Sequence, residues 1–175
     1  MIRLAAAMLL AAGVSGAGTA RAEWQPETAA SAAVLFRSEA LGGGRAYGAR
    51  FTVDAWQTLG LARLGLVAGI GFLGGGSDAD ARTYVPFGLS LGVAERRHTV
   101  GYDLRVRGGP WFGATDAGLA VGAFVDAAAH LSFRLTAALS LTAGLETQFL
   151  FAHGNALVFA PAVSLVFTPG SESAP

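Results

Sequence analysis

From residue 23 onward the chain alternates between apolar and non-apolar positions with a period of two. In LARLGLVAGIGF (61–72), Leu64, Leu66, Ala68, Ile70 and Phe72 fall on one face, and Arg63, Gly65, Val67, Gly69 and Gly71 on the other. In GYDLRVRG (101–108), Tyr102, Leu104 and Val106 alternate with Asp103, Arg105 and Arg107. Successive side chains of a strand point to opposite faces, so this is strand periodicity; helical spacing fits neither segment. The same reading predicts eight strands, at about 28–40, 45–57, 62–73, 82–94, 98–108, 118–135, 139–151 and 156–168.

The connections alternate in character. GGGR (42–45), GGGSDADA (74–81), GGPWFGATD (108–116) and AHGN (152–155) are Gly-rich or polar, whereas TLGL (58–61), ERRH (95–98) and TAA (136–138) are tight. Longer loops at one end and short turns at the other describe an antiparallel up-and-down meander of eight strands.

Which face is inside decides the class. In the sixth strand Leu119, Val121, Ala123, Val125, Ala127, Ala129, Leu131, Phe133 and Leu135 form one apolar row. The opposite row, Ala120, Gly122, Phe124, Asp126, Ala128, His130, Ser132 and Arg134, is too small and mixed to coat a soluble protein. A soluble barrel turns its apolar rows inward, and an outer-membrane barrel inverts this. Rows of about 9–11 residues match a tilted membrane strand. Aromatics near strand ends are expected to form two interfacial girdles: Tyr47, Phe72, Tyr84, Trp111, Phe149 and Phe151 at the loop end, and Trp56, Phe133 and Phe167 at the turn end.

Composition agrees. The 175 residues are 53% apolar and 14% charged, with no Lys and no Cys, so thiol chemistry and disulfides are excluded. Twelve Arg against twelve acids argue against a nucleic-acid partner, which needs a basic face. Residues 1–22 combine Arg3, an apolar run from Leu4 to Val14 and Ala20-Arg21-Ala22, and read as a cleaved export signal. The expected organisation is a signal at 1–22, a barrel at 23–168 and a tail at 169–175.

The signal ending Ala20-Arg21-Ala22, the unit HLSFRLTAALSLTAGLE (130–146) and the last strand LVFAPAVSLVF (157–167) resemble the small eight-stranded outer-membrane barrels of the OmpA and OmpX type. The resemblance covers nearly all of the mature chain at the level of pattern. It implies an eight-stranded antiparallel transmembrane barrel in the outer membrane of a Gram-negative cell, with both termini in the periplasm. It also implies a C-terminal aromatic recognised by the barrel-assembly machinery, a part Phe167 would take from within the chain. The expected partners are outer-membrane lipid, lipopolysaccharide and that machinery, with the barrel a monomer.

If the apolar rows face lipid, the charges line the lumen. The expected network is Arg50, Asp54, Arg63, Asp103, Arg105, Arg107, Asp126, Arg134 and Glu146, with Arg37, Glu39 and His130 also inward. Arg105 and Arg107 are expected to meet Asp126, and Arg134 to meet Glu146. An eight-stranded barrel has room for little beyond its own side chains, so balanced charges would plug it. The reading is a structural or surface-interaction protein. A narrow channel, a lipid-modifying enzyme and a soluble periplasmic ligand-binding barrel stay open. The enzyme alternative rests on His130, Ser132 and Glu146, since the lipid A 3-O-deacylase family uses a His-x-Ser pair with a later Glu. The sequence after this pair is FRL, without that family's Asn and Gly, and its phase points inward. No metal spacing links His98, His130 and His153, and no cofactor is expected.

Overall fold

The structure, a computed structural model, describes residues 24–38, 45–74, 82–95, 98–115, 118–151 and 155–169. The expected signal at 1–22, Glu39, and most of the loops expected at 41–45, 74–81 and 152–155 lie outside these residues.

Eight strands follow one another: β1 (Gln25–Arg37), β2 (Tyr47–Leu59), β3 (Ala62–Gly74), β4 (Arg82–Glu95), β5 (Val100–Thr115), β6 (Gly118–Arg134), β7 (Leu139–Phe151) and β8 (Ala156–Phe167). Each pairs antiparallel with the next, and β8 returns to β1, closing the barrel. The alternating rows dictate this outcome, because a sheet with one polar and one apolar face must hide one of them, and closure also removes both open edges.

Following paired residues from Pro26 through Gln57, Leu64, Leu91, Val106, Ala127, Thr147 and Phe159 returns to β1 at Phe36, ten residues along. Eight strands with that stagger tilt by about 40° and enclose a backbone cylinder of about 8 Å radius. Each residue then rises by about 2.5 Å along the barrel axis.

Turn chemistry fits the short end. Gly60 takes a left-handed φ of 63°, which joins Leu59 to Ala62 in two residues. Between β6 and β7 the amides of Leu135 and Thr136 both donate to Leu139 O, and the Leu139 amide donates to Thr136 Oγ1.

One expected loop is a strand. The Gly and Pro of GGPWFGATD predict a connection, but β5 runs on to Thr115. Proline lacks an N–H and so costs one ladder at most. Beside Pro110 the β4–β5 pairing skips from Pro86↔Trp111 to Leu89↔Gly108, while the β5–β6 pairing runs through Pro110↔Ala123 unbroken. Pro161 likewise interrupts only the closing seam, between Ala33↔Ala162 and Phe36↔Phe159.

The sidedness is inverted relative to a water-soluble barrel. Leu64, Leu66, Leu104, Val106, Val125, Leu131, Val163 and Leu165 are exposed on the outside. Arg50, Asp54, Arg63, Asp103, Arg105, Arg107, Asp126 and Glu146 are buried within.

Candidate functional site in the barrel lumen

The lumen is layered. Toward the turn end, Arg63 bonds Asp103 Oδ2 through Nη1 at 2.9 Å and pairs with Glu27. Its guanidinium lies 4.6 Å from the centre of the Trp56 ring, and that of Arg105 lies 5.5 Å from it. The Trp56 indole N–H donates to Ser90 Oγ at 2.8 Å.

The middle layer carries most of the charge. Arg107 grips Asp54 with two parallel bonds, Nε to Oδ1 at 3.0 Å and Nη2 to Oδ2 at 2.9 Å, and reaches Glu146 Oε2 with Nη1 at 3.2 Å. Arg50 bonds Asp126 Oδ2 at 2.7 Å and also pairs with Glu146. Arg105 contacts Asp103 Oδ1 at 3.3 Å and Asp54 Oδ2 at 3.5 Å. Asp54, Asp103, Asp126 and Glu146 are therefore each shared by two arginines. Such sharing holds charges in a buried interior where lone ions would be strongly disfavoured.

His130 sits among them. Arg105 Nη2 approaches His130 Nδ1 at 2.6 Å, and an arginine only donates, so Nδ1 accepts and the ring proton belongs on Nε2. That nitrogen faces Glu146 Oε1 at 3.3 Å. Ser132 is buried on the same inward row.

The loop-end third of the lumen is built differently. Leu35, Leu73, Tyr84, Trp111, Phe124, Leu150 and Val158 form an apolar cluster there. Tyr84 donates to Gln148 Oε1 at 2.7 Å and packs edge-on against Trp111, with centroids 6.1 Å apart. Three large lumenal aromatics each face a glycine directly opposite on an adjacent strand: Trp56 over Gly65, Tyr84 over Gly71, Trp111 over Gly122. A methyl group on Gly71 would lie 2.3 Å from the Tyr84 ring, and one on Gly122 would lie 2.5 Å from Trp111 Nε1.

Five expected placements are corrected. Trp56 and Tyr84, assigned to the interfacial girdles, point into the lumen, as does Trp111. Each shares the inward phase of a buried arginine or aspartate on its own strand, and that phase outweighs nearness to a strand end. Arg134, expected to meet Glu146, is exposed at the end of β6, where its Nε donates to Thr136 O at 3.3 Å. Glu146 is served instead by Arg50, Arg107 and His130. Of the two arginines expected at Asp126, Arg107 pairs with it at 3.7 Å, whereas Arg105 turns to Asp54 and Asp103.

Tyr47, Phe72, Phe133, Phe149 and Phe167 do face outward. Phe151, also expected there, faces outward, while Phe36 and Phe112 extend the loop-end band and Phe36 meets Tyr47 edge-on at 5.9 Å. Tyr102 and Phe112 face outward on one strand, ten residues and hence about 25 Å of height apart.

In structure the chain is similar to Neisserial surface protein A, with a TM-score of 0.66 at 14% identity, covering 81% of this chain and 96% of that one. It is also similar to the outer membrane enzyme PagL, with a TM-score of 0.54 at 16% identity, covering 79% of this chain and 98% of that one. No protein-family model and no curated protein matches the sequence. Eight antiparallel strands, closed up-and-down with their charges inside, give this chain the fold of the small OmpA- and OmpX-like outer-membrane barrels.

Proposed function

We propose that the protein is an exported, monomeric outer-membrane barrel with a closed lumen, serving a structural or surface-interaction role through its loop end. The observation that carries this reading is the sidedness: every strand turns an apolar row outward while the ion pairs are interior. A band about 25 Å high around a cylinder of about 12 Å outer radius presents on the order of 2,000 Å² of apolar surface. The largest patch on a typical soluble monomer is several times smaller. Lipid is the solvent such a surface requires, and a soluble ligand-binding barrel would need the rows reversed. Its partners on this reading are outer-membrane lipid and lipopolysaccharide, with the assembly machinery acting during biogenesis after removal of residues 1–22.

Bridges between non-neighbouring strands support a closed lumen. Arg107 on β5 holds Asp54 on β2, Arg50 on β2 holds Asp126 on β6, and Tyr84 on β4 holds Gln148 on β7. A narrow channel would have to part the ion pairs and then the apolar layer around Trp111 and Leu150. A lipid-modifying enzyme is disfavoured by the burial of His130, Ser132 and Glu146, which face away from the outer surface.

Cell fractionation combined with gel mobility before and after heating tests the reading. Recovery in the outer membrane with a heat-modifiable band is expected, and recovery in the soluble periplasmic fraction without such a shift would overturn it. Release of acyl chain from lipopolysaccharide that disappears in Ser132→Ala would replace the structural role with an enzymatic one.

A further inference from the structure

We propose that His130 is a proton-operated switch of the lumen: it takes up a proton from the turn end along the hydroxyls of Ser140, Ser132 and Thr142, and in doing so releases Arg105. Two groups converge on one ring nitrogen. Arg105 Nη2 lies 2.6 Å and Thr142 Oγ1 3.3 Å from His130 Nδ1, which has a single lone pair. They differ in what they can do next, because an arginine only donates, whereas a threonine hydroxyl rotates between donating and accepting. A proton placed on Nδ1 therefore excludes Arg105, both as a second donor and as a second positive charge, and is accepted by Thr142.

Both states have their partners in place. Parted from the ring, Arg105 keeps Asp103 at 3.3 Å, Asp54 at 3.5 Å and Ser164 at 3.2 Å. The imidazolium finds its counter-ion in Glu146, whose Oε1 faces Nε2 at 3.3 Å while Oε2 serves Arg50 and Arg107. The charges facing His130 are Arg105, Arg107 and Asp103 from β5, Asp126 from its own strand and Glu146 from β7. Asp54 of β2 joins them through Arg105, and Arg63 of β3 and Glu27 of β1 through Asp103. From β4 and β8 come the uncharged Ser90 and Ser164.

The route runs to one end. Ser132 pairs with Thr142 across the β6–β7 ladder, and Ser140 stands opposite Arg134 where β6 ends. All three hydroxyls are inward and buried, and each both accepts and donates, so together they lead a proton from the turn-end mouth to Nδ1. Toward the loop end, the apolar layer of Leu35, Trp111, Phe124 and Leu150 crosses the lumen. The one-sided access rests on the closed lumen proposed above; the exchange of Arg105 for Thr142 at the ring does not.

The test is solution NMR of the refolded, isotope-labelled chain over a pH series, reading the His130 ring nitrogens and the Arg105 guanidinium. At neutral pH the ring should be the neutral Nε2–H tautomer. On acidification, the proton on Nδ1 and the loss of the Arg105 contact should appear together with one midpoint, and folded His130→Gln should show no such response at Arg105. Thr142→Val removes the acceptor and should demand about fivefold more acid, the worth of one hydrogen bond. Thr147→Val, on the outer face of the same strand, should leave the midpoint in place. Ser132→Val should slow exchange of the ring N–H with solvent, with Ser132→Ala as the second variant. Heat-modifiable gel mobility verifies that each variant is folded. A neutral Nδ1–H tautomer, protonation of His130 without a response at Arg105, an unchanged midpoint in folded Thr142→Val, or unfolding of the barrel before the ring protonates overturns the switch. Unchanged exchange in the folded Ser132 variants overturns the route.

Discussion

Arg107 and Asp54 face each other across the lumen, from β5 to β2, joined by two parallel bonds of 3.0 and 2.9 Å. No sequence neighbour of either residue supplies this contact. Closure of the barrel brings them together, so their pairing reports the closed state.

Removing either partner therefore leaves a buried charge. Asp54→Ala or Arg107→Ala is expected to destabilise the refolded barrel by about 3–5 kcal/mol. The double variant should lose less than the sum of the two, because it leaves fewer orphaned charges. Equilibrium denaturant unfolding in detergent measures this, and strict additivity would mean that the pair is not coupled.

The three tryptophans divide by sidedness. Trp24 is exposed, whereas Trp56 and Trp111 are buried in the lumen. In single-tryptophan variants refolded into bilayers, brominated lipids and aqueous iodide should both leave Trp56 and Trp111 emission nearly untouched. Strong quenching of either residue by brominated lipid would return it to the girdle.

Glycine opposite an aromatic is a packing requirement. Gly71→Val and Gly122→Val would drive a side chain into Tyr84 and Trp111 respectively. A loss of about 1–3 kcal/mol or more is expected. Gly108→Ala, where the added Cβ finds its nearest atom at 3.4 Å, should cost less. Parallel unfolding curves compare the three, and equal costs would contradict the aromatic-over-glycine packing.

Conductance should be absent even when one ion pair is lost. In Arg107→Gln the Tyr84–Gln148 bridge and the layer of Leu35, Trp111 and Leu150 still cross the lumen. Planar-bilayer recordings of the unmutated chain and this variant should both lack a steady open level. A steady current that changes with the substitution would show that the ion network gates a pore.

Much of this was legible in one dimension. The alternation of Leu119 through Phe133 with Phe124, Asp126 and His130 fixes both the existence of β6 and which of its faces is buried. Trp56, Tyr84 and Trp111 were equally readable, since Trp56 stands two residues after Asp54, Tyr84 two after Arg82 and Trp111 four after Arg107. Phase with a buried charge is the stronger signal, and nearness to a strand end the weaker one. The upper apolar layer was hidden for a related reason: Leu35, Leu73 and Leu150 occupy inward positions, but hydrophobicity alone does not distinguish them from the outward leucines. Partner choice was not legible. Which arginine meets which carboxylate depends on the ten-residue stagger and the lumen width, so Glu146 meets Arg50 and Arg107 while Arg134, in phase with them, sits exposed at the turn end of β6.

A chain without cysteine allows inverted sidedness to be tested residue by residue. Single cysteines placed from 124 to 131 along β6, spin-labelled in bilayers and probed for collision with oxygen dissolved in the lipid, should give high accessibility at 125, 127, 129 and 131 and low accessibility at 124, 126, 128 and 130. The opposite phase, or no period-two pattern, would contradict the account.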